Sequence, residues 1–417
     1  MRVVVALATL FFVVLPGVAA AAPDPPDPGR TEHLTVDSNG VEYRYIVYTP
    51  TTYRPGHPAP LVVTVHGCQT TADTEQKITL YDRLAEKNGF VVLYPDVNAD
   101  ERAAQGPIAN CWRFYDPASL KRDSGDAGAI ADMTRAVMKS HAIDRERTYI
   151  VGVSAGGLMA TTMAVQYPEV FAAIGIVESA AYGDAACFTT GTGLPVETSA
   201  QMAFDAMGSG ARVVPLFVIG STGDQAFPEP CANKALEQGL RTNNLVVSGK
   251  QTSPIALAPA ATRAGQVTGG RAYTVSTYRD PDGCLIGEKT IIDGMPHAWP
   301  GGTTDDKFKG YNDPTAPDGA QISWAFLSRY TKSTTSLPCA EAPKPCPATW
   351  KRVTFPSGAT GITATVGRGR ATVRRTKGGV RVRVPAATPA GTRIVVTARG
   401  RDGRKLTRRT TYRGCGR

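Results

Sequence analysis

Histidine, late acid and long apolar runs are the scarce features of this 417-residue sequence. It holds five histidines, and no short C-x-x-C pair lies near any of them. That leaves no zinc-type ligand set, so no metal is expected. Beyond residue 22 no apolar run is long enough to cross a bilayer, which excludes stable membrane insertion by a helix there. Acid is nearly missing from the last stretch. Residues 347–417 carry 18 of the 46 Lys and Arg but only one acid, Asp402, a net of +17; the rest holds 28 basic against 35 acidic residues, a net of −7. The overall +10 therefore joins an acidic body to a basic tail, and the change marks a domain boundary. No nucleic-acid motif accompanies the basic run, so no nucleic-acid partner is expected.

What is present begins with an apolar leader. Arg2 precedes the run Val3–Val18, and small residues follow at Ala19–Ala22. This is the pattern of a secretory signal peptide over 1–22, with a Pro/Asp-rich leader over 23–30. The expectation is a secreted, extracellular protein, in which eight cysteines read as disulfides.

From 31 to 332 apolar runs of strand length alternate with helix-length stretches. "PLVVTVHG", "GFVVLYPD", "RTYIVGVS", "FAAIGIVES" and "VVPLFVIGS" are apolar on both faces. A parallel sheet covered by helices requires that, so the class is α/β. A Pro- and Cys-rich linker is expected over 333–349. Beyond it, 350–417 reads as a small all-β module of five or six short strands, with "VRVRV" placing valines on one face and arginines on the other.

"YIVGVSAGGLMATT" carries the chemistry. A serine hydroxyl needs a base to take its proton and donors to hold the oxyanion that forms. Gly152-Val153-Ser154-Ala155-Gly156 fits a tight strand-to-helix turn that presents the hydroxyl to a cleft. The partners are expected in the order Ser, Asp, His. Asp224 ends the strand-like "RVVPLFVIGSTGD", and His297 follows "KTIIDGMP". Asp184 and Asp205 are the alternative acids, but neither closes a core strand. His33, His57 and His141 sit at edges or a helix end, and His66 precedes a loop of its own. That loop, His66-Gly67-Cys68, would supply the second oxyanion donor, so the donors are read as the backbone amides of Cys68 and Ala155.

"HGCQTTAD", "NCWRFYD", "VGVSAGGLMA", "YPEVFAAIGI", "AAYG", "DGMPHAWPGG" and "NDPTAPDGAQISWAFL" follow one another in this order. Together they resemble the poly(3-hydroxybutyrate) depolymerase family of esterases, related to feruloyl and acetylxylan esterases, over about residues 32–330. The resemblance implies an α/β-hydrolase fold, a triad at Ser154, Asp224 and His297, and no metal or cofactor; with the tail pattern the expected fold class is an α/β-hydrolase fold with a small C-terminal all-β module. It also implies a carboxylic ester as substrate without settling which; the lack of a long lid insertion favours an open groove and puts polyester ahead of plant-wall aryl or acetyl esters. "GSTGDQAFPEPC" departs from the family by lacking His-Gly before the aspartate. Trp112, Tyr182 and Trp299, with Phe114 and Tyr115, are the aromatic candidates for the substrate cleft. Cys68–Cys111 is an expected bridge that pins the oxyanion loop; Cys187–Cys231 and Cys346–Cys415 are further candidates. The basic module is expected to meet an anionic polymer or surface. The competing reading is a surface-adhesion protein with an inactive hydrolase-like body.

Overall fold

The structure is a computed structural model that describes residues 27–333, 349–354, 359–367, 369–376, 379–384 and 392–412. The expected signal peptide, the first half of the leader, most of the linker, and the Cys346–Cys415 pair lie outside the described residues. Two compact units divide after residue 338.

The first unit runs β1 (Arg30–Ser38), β2 (Val41–Thr49), β3 (Ala59–Val65), α1 (Ala72–Thr79), α2 (Tyr81–Asn88), β4 (Val91–Asn98), α3 (Ala99–Ala103), α4 (Gly125–Ser140) and β5 (Ile143–Val153). It continues with α5 (Ala155–Gln166), β6 (Ala173–Val177), α6 (Val196–Met207), β7 (Leu216–Ser221), α7 (Glu229–Ser248), β8 (Ala261–Gln266), β9 (Ala272–Arg279) and β10 (Leu285–Ile292). The two-residue strands β11 (Trp299–Pro300) and β12 (Asn312–Asp313) and the helix α8 (Gly319–Leu327) complete it. The ten-stranded sheet has the order β1-β2-β4-β3-β5-β6-β7-β10-β9-β8. Its six central strands, β4 to β10 in that order, are parallel, and the outer pairs are antiparallel.

Alternation along each central strand feeds two cores. Leu61, Val63, Val91, Leu93, Ile150, Ile176 and Val218 pack on one face against α4–α7. Val62, Val92, Tyr149, Val151, Val177 and Ile219 pack on the other against α1, α2 and α8. Each such side chain, fully removed from water, contributes about 1.5–3 kcal/mol before the entropy of ordering is subtracted. Parallel strands carry their carboxyl ends to one edge, and the loops at that edge hold the site.

The sequence reading passed over β1, β8, β9, α6 and α7. Strand β8 is exposed along nearly its whole length, so it has no apolar face to announce it. Helix α7 contains Gly239, Thr242, Asn243 and Asn244, which are poor helix formers. Tertiary contacts hold it: Asn243 bonds both the N–H and the carbonyl of Val214 at 2.8 and 2.9 Å.

The second unit packs β13 (Thr349–Thr354), β17 (Gly379–Val384) and β16 (Val373–Thr376) as one antiparallel sheet. A second sheet holds β15 (Gly369–Ala371), β14 (Thr360–Val366), β18 (Arg393–Arg399) and β19 (Lys405–Thr411). Val380, Val382 and Val384 are fully buried among Val353, Ile394 and Val396, while Arg381 and Arg383 face outward.

Candidate functional site

Strand β5 ends at Val153, and α5 begins two residues later. Ser154 makes the turn with φ 58° and ψ −123°, a backbone region that costs a side-chain-bearing residue about 1–3 kcal/mol. Close packing holds it there. A Cβ on Gly152 would lie 2.0 Å from the Gly156 carbonyl oxygen, and one on Gly156 would lie 2.0 Å from that of Val65. The Ser154 N–H donates to Val177 O at 3.0 Å, and the Ser179 hydroxyl donates to Ser154 O at 2.6 Å.

Asp224 and His297 come from loops after the neighbouring strands β7 and β10, and cross-links fix those loops together. Thr222 N donates to Ile292 O at 3.0 Å, Gly294 N to Thr222 Oγ1 at 2.8 Å, and Ser221 Oγ to Met295 O at 2.7 Å. The result is a continuous chain: His297 Nε2 lies 2.9 Å from Ser154 Oγ, and His297 Nδ1 lies 2.7 Å from Asp224 Oδ2. Asp224 Oδ1 accepts from the N–H groups of Ala226 and Phe227 at 2.7 and 2.9 Å. Burial pushes the Asp224 carboxyl up, but the hydrogen bonds from His297 and then Glu178 outweigh it and hold the group below its usual range. With Nδ1–H donated to the aspartate, Nε2 is free to accept the serine proton. The Asp224 side chain has no exposed surface, whereas the His297 side chain keeps 30%.

The two alternative acids have other work. Asp184 is buried in an ion pair with Lys234 at 2.6 Å, and Asp205 accepts from Gln201 along α6. Among the remaining histidines, His141 is buried at the end of α4 and bonds Thr49 and Ser140.

The His66-Gly67-Cys68 loop lies directly against the elbow: a Cβ on Gly67 would sit 3.1 Å from the Cβ of Ser154. The Ala155 amide is the first of α5 and has no partner within the helix. His66 is fully buried and braces the loop. Its Nδ1 donates to Gly67 O at 2.7 Å, and its Nε2 lies 3.3 Å from Asp96 Oδ1. Burial alone would depress this imidazole; the Asp96 carboxylate overcomes that and raises it above its ordinary value. Disulfides join Cys68 to Cys111 and Cys187 to Cys231, and Cys284 is bonded too. Closing the 43-residue separation of the first bridge is worth roughly 4 kcal/mol in the chain-entropy account.

The expected cleft aromatics are displaced inward. Trp112 and Trp299 have no exposed surface, and Tyr182 keeps 9%. Trp112 donates from Nε1 to His66 O at 3.1 Å, Tyr182 accepts from Gln166, and Trp299 packs on Tyr81. Trp112 and Tyr182 thus bury their rings and still meet a polar partner, whereas Trp299 Nε1 is buried without one among the described residues and its ring is held by apolar packing. The aromatics that reach the surface are others. Phe227 sits 5.9 Å from His297 and 5.3 Å from Phe188 by ring centroids. Phe188 is 42% exposed, and Tyr115, edge-on to Phe114, is 51% exposed. Phe114 and Phe227 share a small core with Leu158 and the Cys187–Cys231 bridge.

Among the described residues, donor atoms close enough to share an ion occur at Glu178, Asp224 and His297, all within 4.8 Å of one another. The Asp224 and His297 donors already serve each other, two backbone amides and Ser154. The sequence reading missed Glu178. Its signal was an acid closing the apolar run "FAAIGIVES".

Residues 43–233 match the family described as Esterase PHB depolymerase; Ser154 and Asp224 lie inside that span and His297 beyond it. A poly(3-hydroxyalkanoate) depolymerase C of Paucimonas lemoignei is 33% identical over 132 residues, covering 32% of this chain and 30% of the relative. Feruloyl esterase B of Neurospora crassa is 34% identical over 152 residues, covering 36% and 48%. The matched stretches thus span less than half the length of these relatives. Among solved structures, an acetyl xylan esterase from Aspergillus awamori superposes with a TM-score of 0.50 at 20% identity, covering 64% of this chain and 94% of that one; it shares the α/β-hydrolase fold. With its nucleophile-elbow turn and parallel strands, the stretch 43–233 is thus similar to the family described as Esterase PHB depolymerase.

Proposed function

We propose that the first unit is a serine carboxylic-ester hydrolase acting on a poly(3-hydroxybutyrate)-type polyester. The observation that carries this reading is the hydrogen-bonded chain from Ser154 Oγ through His297 to Asp224. His297 takes the Ser154 proton as Oγ bonds to the ester carbonyl carbon. The amides of Cys68 and Ala155 hold the oxyanion. As the carbon–oxygen bond to the alcohol breaks, His297 returns the proton to the leaving oxygen and an acyl-serine remains. Water, deprotonated by the same imidazole, then releases the acid and restores Ser154. Two things favour a polymer: the half-open His297, and Phe227 packed near it with the exposed Phe188 against Phe227, an apolar border suited to an aliphatic chain. The alternative is an aryl or acetyl ester of the plant wall, cleaved by the same groups. Export is part of the proposal; the leader pattern of 1–22 and the two bridges in the first unit support it.

The test uses wild-type protein on three substrates. Clearing of a poly(3-hydroxybutyrate) suspension, with faster release from p-nitrophenyl butyrate than from methyl ferulate, is the expected outcome. Cleavage of the small esters without clearing would defeat the polymer reading and leave the esterase reading standing.

The second unit is assigned to holding an anionic polymer. Arg381 of β17 is directly opposite Arg374 of β16. Like charges so placed repel across a sheet, and an anion laid over the pair relieves that repulsion. Arg374 also stacks 4.7 Å over the Trp350 ring. Replacing Arg374 and Arg381 by glutamine is expected to lower the salt needed for elution from an immobilised polyuronate while leaving p-nitrophenyl butyrate hydrolysis unchanged. Unaltered elution would dismiss this role.

A further inference from the structure

A fully buried carboxyl lies behind the acid of the triad with no role in the reaction just described. Glu178 follows β6 directly, with φ 44°. Its N–H donates to Ile219 O at 2.8 Å, which ties it across to β7. That unusual backbone turns a charged residue inward from an apolar strand end. The side chain has no exposed surface. Oε2 lies 3.4 Å from the Ser221 hydroxyl, whose proton has a nearer acceptor in Met295 O at 2.7 Å. Oε1 is buried with no donor aimed at it. The carboxyl stands within 4.8 Å of both the Asp224 carboxylate and a His297 ring nitrogen.

Two carboxylates sharing one dry site cannot both ionise; the pair holds one proton. The surroundings decide which oxygen carries it. Asp224 receives three donors: Ala226 N–H, Phe227 N–H and His297 Nδ1–H. Its negative charge is solvated by the protein. Among the described residues, the Glu178 carboxyl meets donors only from Ser221, whose N–H and distant hydroxyl favour its charge more weakly than burial and Asp224 oppose it, so it is the cheaper group to neutralise. We propose that Glu178 is protonated and donates that proton in a hydrogen bond to the Asp224 carboxylate, acting as a positioning residue for the triad. The unpartnered Oε1 is then explained, since a carboxylic acid facing a carboxylate supplies the donor that two carboxylates lack. Burial, followed by the adjoining Asp224 charge, pushes the Glu178 carboxyl far above its ordinary range. Asp224 and His297 are the titratable groups that face it.

The consequence concerns the imidazole. With one proton on the pair, His297 sees a single negative charge, and the imidazolium formed during attack is stabilised once. A second charge behind Asp224 would make that imidazolium harder to discharge, and the proton must still reach the leaving alcohol. A neutral Glu178 therefore orients Asp224 without overloading the base.

The inference rests on the esterase reading, so its test has two arms. The kinetic arm compares wild type, Glu178→Gln and Glu178→Ala on p-nitrophenyl butyrate across pH. Glutamine is neutral and can still donate, so it is expected to keep kcat within about threefold and to leave the acid limb where it is. Alanine is expected to lower kcat about 10- to 100-fold at unchanged KM, the loss of one hydrogen bond to a charged group. If Glu178 is ionised instead, Glu178→Gln removes a charge beside His297 and moves the acid limb down by about one unit or more; that result overturns the proposal. The second arm needs no activity. Infrared difference spectra of wild type against Glu178→Gln at neutral pH are expected to show a protonated carboxyl carbonyl band in wild type alone. Its absence overturns the proposal, whereas an inactive wild type that shows the band defeats only the esterase reading.

Discussion

Ser154→Ala is expected to abolish ester hydrolysis, with kcat falling about 10⁴- to 10⁶-fold, in a protein that folds as before. The magnitude follows from what is removed. Only the hydroxyl can form the acyl bond, and residual turnover must come from water attacking a carbonyl polarised by the backbone donors. The folded state loses little. The Ser154 contacts that fix the elbow are main-chain ones, from its N–H to Val177 and from the Ser179 hydroxyl to its carbonyl. Alanine keeps them, keeps the Cβ packed against Gly67, and leaves His297 Nε2 in a half-open position where water can replace the hydroxyl. A stability change within about 1 kcal/mol is expected, since no buried polar group is orphaned. Steady-state rates on p-nitrophenyl butyrate, read beside the thermal midpoint, check both halves. A loss under 100-fold would mean another nucleophile. A large drop in the midpoint would mean that the rate reports unfolding.

Central strands and the elbow were legible in the sequence because local patterns there coincide with global needs. "VVTV" and "YIVGV" must be apolar on both faces to lie in a covered parallel sheet, and Gly152 and Gly156 must lack side chains where backbones nearly touch. Asp224 and His297 could be placed because each follows a strand of that sheet, and parallel strands end on one side. What escaped depends on packing that no local pattern encodes. Trp112 and Trp299 look like cleft aromatics in sequence, yet each finds more apolar surface inside. Phe188 and Tyr115 reach the surface from irregular segments, where no period marks a face. Glu178 lies in an apolar run that reads as plain strand; only the approach of the β7 and β10 loops shows that its carboxyl meets Asp224. The departure noted at "GSTGD" falls at the same spot, for Ser221 touches Glu178 and Met295 together.

Asp224→Asn is expected to be nearly as damaging, lowering kcat about 10⁴-fold while preserving most of the local structure. The amide is isosteric with the carboxylate. Its oxygen can still accept from the N–H groups of Ala226 and Phe227, which leaves the NH₂ group facing His297. A donor at Nδ1 forces the neutral ring to carry its proton on Nε2, so the imidazole presents a hydrogen, not a lone pair, to Ser154 Oγ. The base is then blocked in its resting tautomer, and the imidazolium has lost its counter-charge. The same substitution tests the electrostatics. Folded Asp224 titrates below its usual value, so its ionised form adds stability that is fully present above the unfolded carboxylate pKa and is lost as pH falls through the lower folded one. Asparagine has no such proton to take up. The stability gap between wild type and variant should therefore narrow on acidification through that window, and rates on p-nitrophenyl butyrate together with denaturant midpoints from neutral to acid pH would reveal it. A variant that keeps a tenth of the wild-type kcat would show that His297 is oriented by something other than Asp224.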